Sequence, residues 1–314
     1  MTRLFFATDV HGSDICWKKF LNAAKFYSAD VLILGGDMTG KALVPITRQP
    51  DGTYLATLLQ QAYQLKDEAE VVEMERRVRS RGYYPIRLTA DQLAELEADP
   101  SQIDHLFRQQ ALSVLEQWLA LADEKLRGTS LRCYVCPGND DAPEVDEVIG
   151  RAHHVQMGEG KTVELGDGFV MVSTGWSNVT PWHTYRECSE TDMAAKIEAM
   201  MPASADLRRT VFSFHCPPYG SNLDEAPLLD ENLNVKEAGR ALVPVGSTAV
   251  RDAILKYQPV LSLHGHIHES KGVARLGKTL SINPGSLYEQ GVLQGVVVDL
   301  DGRKGVKSYT LTTG

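Results

Sequence analysis

The 314 residues are 43% hydrophobic and carry a formal net charge of −9. The apolar share suffices for a sizeable core, in one large domain or two smaller ones. The acidic balance counts against bulk binding of nucleic acid or an anionic membrane, but not against a small phosphorylated substrate held by metal ions.

The first predicted strand is Leu4-Phe5-Phe6-Ala7-Thr8, which runs into Asp9. Residues 13–27 then place Ile15, Phe20, Ala23, Ala24 and Tyr27 at helical spacing. Val31-Leu32-Ile33-Leu34 reads as the second strand and ends in Gly35-Gly36-Asp37. From about 41 to 128 no segment reads as a good strand. Leu58, Ala62, Leu65, Ala69 and Val72 mark one helical face, and Thr89 with Gln92 has a capping-box pattern. Ser101, after Pro100, opens a third helix through Ile103, Phe107, Val114, Trp118 and Leu121. The expectation is one domain over 1–314 with a helical insertion at about 41–128, forming a cap or an interaction surface.

Strands resume at Cys133-Tyr134-Val135-Cys136, followed by Pro137-Gly138-Asn139-Asp140. Val211-Phe212-Ser213-Phe214 leads to His215, and Val260-Leu261-Ser262-Leu263 leads to His264-Gly265-His266. Phe169-Val170-Met171-Val172 and Gly295-Val296-Val297-Val298 lack such end clusters. Residues 247–257 read as a helix capped by Ser247 or Thr248. Short apolar runs of this kind are strands buried on both faces, and their alternation with helices predicts an α/β layered fold. Residues 279–282 and 306–311 have no helix between them, so part of the sheet is expected to be antiparallel.

The five cysteines, Cys16, Cys133, Cys136, Cys188 and Cys216, are odd in number and scattered, which does not suggest a disulfide framework. Cys133 and Cys136 lie three apart in a strand, pointing to opposite faces, which disfavours a zinc or redox pair. With no secretory signal and no apolar run long enough for a bilayer, the reading is cytoplasmic, with no membrane partner.

Asp9, His11, Asp37, Asn139, His215, His266 and His268 all fall at or just after a predicted strand end. All are metal-capable side chains. That edge is where open α/β sheets place ligands. Residues two apart in an extended chain point the same way, so Asp9 with His11 and His266 with His268 each offer two ligands from one strand end. Any one of these matches is weak, because a lone strand-end aspartate is usually a turn residue. Five clusters in order are hard to explain structurally, and four of the nine histidines lie among them.

The ordered set Asp9-Val10-His11, Gly36-Asp37, Gly138-Asn139-Asp140-Asp141, His215 and Gly265-His266-Ile267-His268 resembles the calcineurin-like metallophosphoesterase family. The resemblance implies a four-layer αββα sandwich of two mixed sheets. It implies one divalent metal on Asp9, His11, Asp37 and His268, and a second on Asp37, Asn139, His215 and His266. The ions would be manganese, iron or zinc, sharing a water whose lowered pKa yields the attacking hydroxide. Asp37, Asn139 and Asp140 are the candidate catalytic residues. The Thr180-Pro181-Trp182 loop, residues 217–224 and Ile282-Asn283-Pro284-Gly285-Ser286 look like a bacterial and archaeal subgroup of stand-alone phosphoesterases.

Asp140 departs from the pattern, since the family usually has histidine there. An ordinary aspartate is ionised at neutral pH and repels a phosphate. The expectation is little general-acid help, preference for activated leaving groups, and a phosphodiester or nucleotide-like substrate over a monoester. His153 and His154 read as a surface turn rather than a replacement imidazole. Trp176, Trp182, His183 and Arg186 are candidate substrate contacts, because aromatics beside a phosphate site stack on rings. Arg76, Arg77, Arg79 and Arg81 read as a solvated helix end. A nuclease and a non-catalytic metal-binding scaffold are the alternatives.

Overall fold

The structure is a computed structural model that describes residues 1–201 and 206–314. The chain opens with β1 (Thr2–Ala7), α1 (Asp14–Tyr27) and β2 (Val31–Leu34). An excursion follows through β3 (Leu43–Arg48), β4 (Tyr54–Leu58), β5 (Gln61–Leu65), α2 (Glu68–Ser80), β6 (Tyr84–Thr89) and α3 (Ala90–Ala98). Helix α4 (Pro100–Leu126) returns to β7 (Arg132–Val135), α5 (Val145–Gly150) and β8 (Val155–Met157). Next come β9 (Thr162–Gly166), β10 (Phe169–Thr174), β11 (Ser177–Asn178), β12 (Glu187–Cys188) and α6 (Glu190–Met200). After them lie β13 (Thr210–Phe214), β14 (Glu225–Pro227), β15 (Leu242–Pro244), α7 (Thr248–Tyr257) and β16 (Leu261–Leu263). The chain closes with β17 (Gly272–Leu276), β18 (Thr279–Asn283), β19 (Gln294–Asp301) and β20 (Gly305–Thr313).

Two six-stranded sheets form the centre, in the orders β20-β19-β1-β2-β7-β8 and β17-β18-β16-β13-β10-β9. Both are mixed. Parallel strands run from β1 to β8 in the first and from β18 to β10 in the second, and antiparallel strands close the edges. Side chains alternate across each strand, so each apolar run feeds two cores. Leu4, Phe6, Val31, Ile33 and Tyr134 meet Met171, Val211, Leu261 and Ile282 between the sheets. Phe5, Ala7, Leu32, Leu34 and Val135 face the outer helices instead, against Trp17, Phe20, Leu119 and Val148. Phe212 and Phe214 pack under α6 and α7 with Ile197 and Ile254. The result is the expected αββα sandwich. Among the described residues, no helix is long and apolar enough to cross a membrane.

The insertion differs from its reading as purely helical. A four-stranded sheet, β5-β4-β3-β6, lies within it. Leu58 belongs to β4, Ala62 and Leu65 to β5, and only Ala69 and Val72 to a helix, so these five do not share one helical face. The β4–β5 turn is Leu59-Gln60, both at positive φ (49° and 64°), without the glycine or asparagine that usually marks such a turn. Thr89 and Gln92 do form a reciprocal capping box on α3, whereas α4 is capped by Asp99 rather than opened by Ser101.

Helix α4 belongs to the body. It supplies Leu115, Trp118, Leu119 and Ala122 to the outer core, and Trp118 stacks on Trp17 at 5.1 Å between centroids. The reason is topological: β2 and β7 are parallel neighbours, and such a pair needs a crossover that covers the sheet.

Candidate metal centre

The carboxyl ends of the parallel strands of both sheets meet at one edge. The loop after β1 carries Asp9 and His11, that after β2 carries Asp37, and that after β7 carries Asn139 and Asp140. The second sheet sends His215 from the end of β13, and His266 and His268 from the end of β16. Asp9, His11 and His268 bring ligand atoms within 4.8 Å of one another, as do Asp37, His215 and His266. Asp37 lies between the two groups, with Oδ2 at 3.6 Å from His11 Nε2 and 3.4 Å from His215 Nε2.

Backbone geometry places these groups at some cost. Asp9, His11, Asp37 and His266 have φ of 52°, 38°, 48° and 66°, a left-handed region that side chains avoid. Strained backbone of this kind clusters at functional sites. Gly36 has φ 139°, and a Cβ there would overlap the His215 imidazole. A Cβ at Gly265 would overlap Thr8 and the Asp9 carboxylate. Hydrogen bonds hold the loops: Asp9 N–H donates to Gly36 O (3.0 Å), His11 N–H to Asp37 O (2.9 Å), and Gly265 N–H to His215 O (2.9 Å). Asn283 donates to the carbonyls of Gly265 and Ile267, and Ser286 to that of Asp9. The Asn-Pro-Gly-Ser segment therefore braces the ligand loops.

Asp9 and Asp37 are almost fully buried. Among the described residues neither forms an ion pair with a lysine or arginine; imidazoles are their ionisable partners, while Thr8 Oγ1 and His266 N–H donate to Asp9 and Asp140 N–H donates to Asp37. Burial opposes their ionisation, yet the facing imidazoles, His215 foremost, hold both carboxyls well below the usual carboxylate range. Burial opposes a charge on His215 too, but Asp37 and Asp9 outweigh it and push the imidazole up to about 10. Burial keeps His11 well below the ordinary value and, with the His215 charge, lowers His266 to about 4. Asn139 Nδ2 donates outward to Thr184 Oγ1 (2.8 Å), which turns its Oδ1 inward to 3.0 Å from His215 Nε2. His215 Nδ1 faces Gly35 O at 3.1 Å, so Nε2 is the nitrogen that looks into the site. His11 and His268 hold their Nε2 atoms 3.1 Å apart. Carboxylate oxygens, an amide oxygen and imidazole nitrogens that converge in this way fit divalent cations of borderline hardness.

Asp140 is not a bare carboxylate. Lys41 pairs with its Oδ2, and Asn139 Nδ2 donates to its Oδ1 (3.0 Å). Burial, then the Asp37 charge, outweigh Lys41 and push it up to about 6. Lys41 is not among the sequence candidates; it sits four residues past Asp37, on a loop whose packing no motif announces. The insertion braces that loop. Lys41 N–H donates to Gly82 O (3.1 Å), and Gly40 N–H to the buried Tyr84 hydroxyl (2.6 Å). Asp141, the last motif residue, accepts from the backbone of Met38, Thr39 and Gly138 and so shapes both ligand loops.

Of the expected substrate contacts, only Trp182 lines the cleft that opens on this edge. Trp176 packs toward α6 under Lys196, 3.9 Å from the ring centre. His183 is exposed in the turn and outside the cleft wall. Arg186 is buried, and its guanidinium binds Asp146 and the carbonyls of Asp141 and Ala142. It is a brace for the Asn139 loop rather than a substrate contact. A positive charge beside a phosphate motif suggests binding, but its partners come from a segment 40 residues earlier. Asn178 lines the cleft as well, and so does Thr184, which is absent from the sequence candidates.

No protein-family profile matches the chain. Over 150 residues it is 27% identical to the uncharacterised protein MJ1162 of Methanocaldococcus jannaschii, a match that covers 47% of this chain and 61% of that protein. One solved structure superposes with a TM-score of 0.59 at 16% identity, covering 99% of this chain and 98% of the other. TT1561 of Thermus thermophilus superposes with a TM-score of 0.53 at 15% identity, covering 100% and 98%. Likeness at such identities speaks for fold alone: the chain shares the layered α/β fold of these two structures over nearly its whole length.

Proposed function

We propose that the chain hydrolyses a phosphate ester, a phosphodiester in preference to a monoester, with two divalent cations. Asp9, His11, Asp37 and His268 would hold one cation, and Asp37, Asn139, His215 and His266 the other. The observation that carries this reading is the convergence of two Asp/His groups around Asp37 at the carboxyl edge of both sheets. Such a cation pair, when bound, supplies an activated water and neutralises charge on the phosphoryl oxygens.

The chain's own groups complete the site. Asp37 and Asp9 set the negative charge of the centre, and Asn139 contributes a neutral oxygen. Lys41 and Asp140 border the cleft beside Asp37. Lys41 offsets the Asp140 carboxylate and leaves the rim near neutral, which suits a singly charged diester better than a dianion. Without metal, burial and the Asp37 charge push Asp140 up to about 6, but cations bound at Asp37 would draw it back toward the carboxylate, so general-acid help is small. Among the described residues that line the cleft, Lys41 is the only lysine or arginine, so a nucleic-acid backbone meets no line of cations and the nuclease reading is disfavoured. Manganese, iron and zinc all suit this donor set.

Calorimetric titration of metal-stripped protein with manganese tests the reading. Two equivalents per chain, with phosphodiesterase activity appearing as they bind, are expected. A single equivalent, or activity unaffected by stripping, would contradict it.

A further inference from the structure

The cleft is far larger than a phosphate needs. It has a volume of about 880 Å³, within the range of pockets that hold a whole small molecule. Its floor is polar: Asp37, Asn139, His266 and His268, with Lys41 and Asp140 beside them. Beyond the floor the walls turn apolar. One wall is the loop after β11, with Val179 and Trp182; the other is the β14–β15 ribbon and its connection, with Leu229, Val235, Val243 and Val245. Asn178 Nδ2 donates to Val245 O (3.1 Å) and ties the walls together.

These walls reach solvent without becoming polar. Val179, Val235 and Trp182 are 57%, 52% and 64% exposed, although large apolar side chains gathered at a cleft mouth are costly to leave wet. Away from the floor the charged lining residue is Glu269, a carboxylate. A second phosphate, a polyphosphate or a sugar acid would find no cation there.

We infer that the site takes phosphoesters of an apolar alcohol: the charged phosphoryl group sits on the floor, and the hydrocarbon ester arm lies between the Val179–Trp182 loop and the β14–β15 ribbon. The inference rests on the phosphoesterase reading for its orientation. An acyl or alkyl arm is favoured over a nucleoside, because the walls offer aliphatic surface and one indole rather than paired rings, and the Asn178 amide is already engaged by Val245 O and the Cys216 thiol.

Binding tests this independently of turnover. Ethyl, butyl, hexyl and octyl methylphosphonate, each a monoanion, would be titrated calorimetrically into manganese-loaded protein, with a nucleoside methylphosphonate as the polar counterpart. Affinity should rise about 4-fold per methylene from ethyl to hexyl. In Val179→Asp and Val243→Asp, which alter opposite walls, the length dependence should flatten, with manganese stoichiometry confirming an intact fold. Equal affinity across the series, tighter binding of the nucleoside ester than of the octyl ester, or an unchanged slope in both variants would overturn the inference. Hydrolysis of bis(p-nitrophenyl) phosphate by the same preparation reports separately on the phosphoesterase reading. Turnover with a flat series removes the apolar arm and keeps the enzyme; a steep series without turnover does the reverse.

Discussion

Asp140 stands where the metallophosphoesterase pattern that the sequence resembles places histidine, and its neighbours decide what the exchange does. The metal-free carboxyl sits at about 6, but cations bound at Asp37 would press it, paired with Lys41, toward the ionised form, which has no proton to donate where an imidazolium would. Asp140→His should therefore raise turnover of an alkyl phosphodiester relative to bis(p-nitrophenyl) phosphate by at least about 10-fold. An unchanged ratio in steady-state assays would show that this position carries no leaving-group role. His215 gives a second prediction. Its value of about 10 lies above the ordinary 6.5, so below pH 10 the metal-free protein must lose a proton from it to bind a cation there. Manganese affinity should climb with pH up to about 10, and calorimetry in buffers of different ionisation enthalpy should show proton release at pH 7. Without metal, the same shift stabilises the fold below pH 6.5 and is lost as pH rises through 10. The depressed Asp9 and Asp37 contribute stability above the ordinary carboxylate range that is lost on acidification.

At the level of elements, the insertion is tied to the chemistry through the Lys41 loop. Tyr84→Phe removes the hydroxyl that accepts from Gly40, leaving a buried N–H unpaired. The expected cost is about 1 kcal/mol in denaturant unfolding, with a comparable, about 5-fold, fall in kcat/KM and no loss of bound metal. Loss of metal instead would mean that the insertion supports the ligands rather than the rim. Legibility also varies by element. Strands β1, β2, β7, β13 and β16 are readable because both faces are buried, so their apolar runs are continuous. The β3–β6 sheet is not: its core is small (Val44, Ile46, Ala56, Leu58, Leu65), and its strands alternate with exposed polar residues. The Pro50-Asp51-Gly52 turn signal before β4 is present, but the Leu59-Gln60 turn carries none. The seven ligand candidates are legible as a set because their strand ends converge. Lys41 and Thr184 are not, since loops packed by tertiary hydrogen bonds leave no periodic trace. Arg186 and Trp176 mislead because residue type does not say which way a side chain turns.

Across the whole molecule, the centre joins the two halves of the sandwich. The first sheet supplies Asp9, His11, Asp37 and Asn139, and the second His215, His266 and His268. A ligand bound only by the folded state stabilises it, by about 2.7 kcal/mol at a hundredfold excess over Kd. Removing metal with a chelator should therefore lower the melting temperature, and manganese should restore it; identical melting curves would argue against a site shared by both sheets. The most direct test of the central claim is hydrolysis of bis(p-nitrophenyl) phosphate against p-nitrophenyl phosphate with added manganese, for the native chain and for Asp37→Asn. The account predicts diester turnover above monoester turnover, and a fall of at least about 100-fold in the variant. Absence of turnover in the metal-loaded native chain, or full activity in Asp37→Asn, would contradict it.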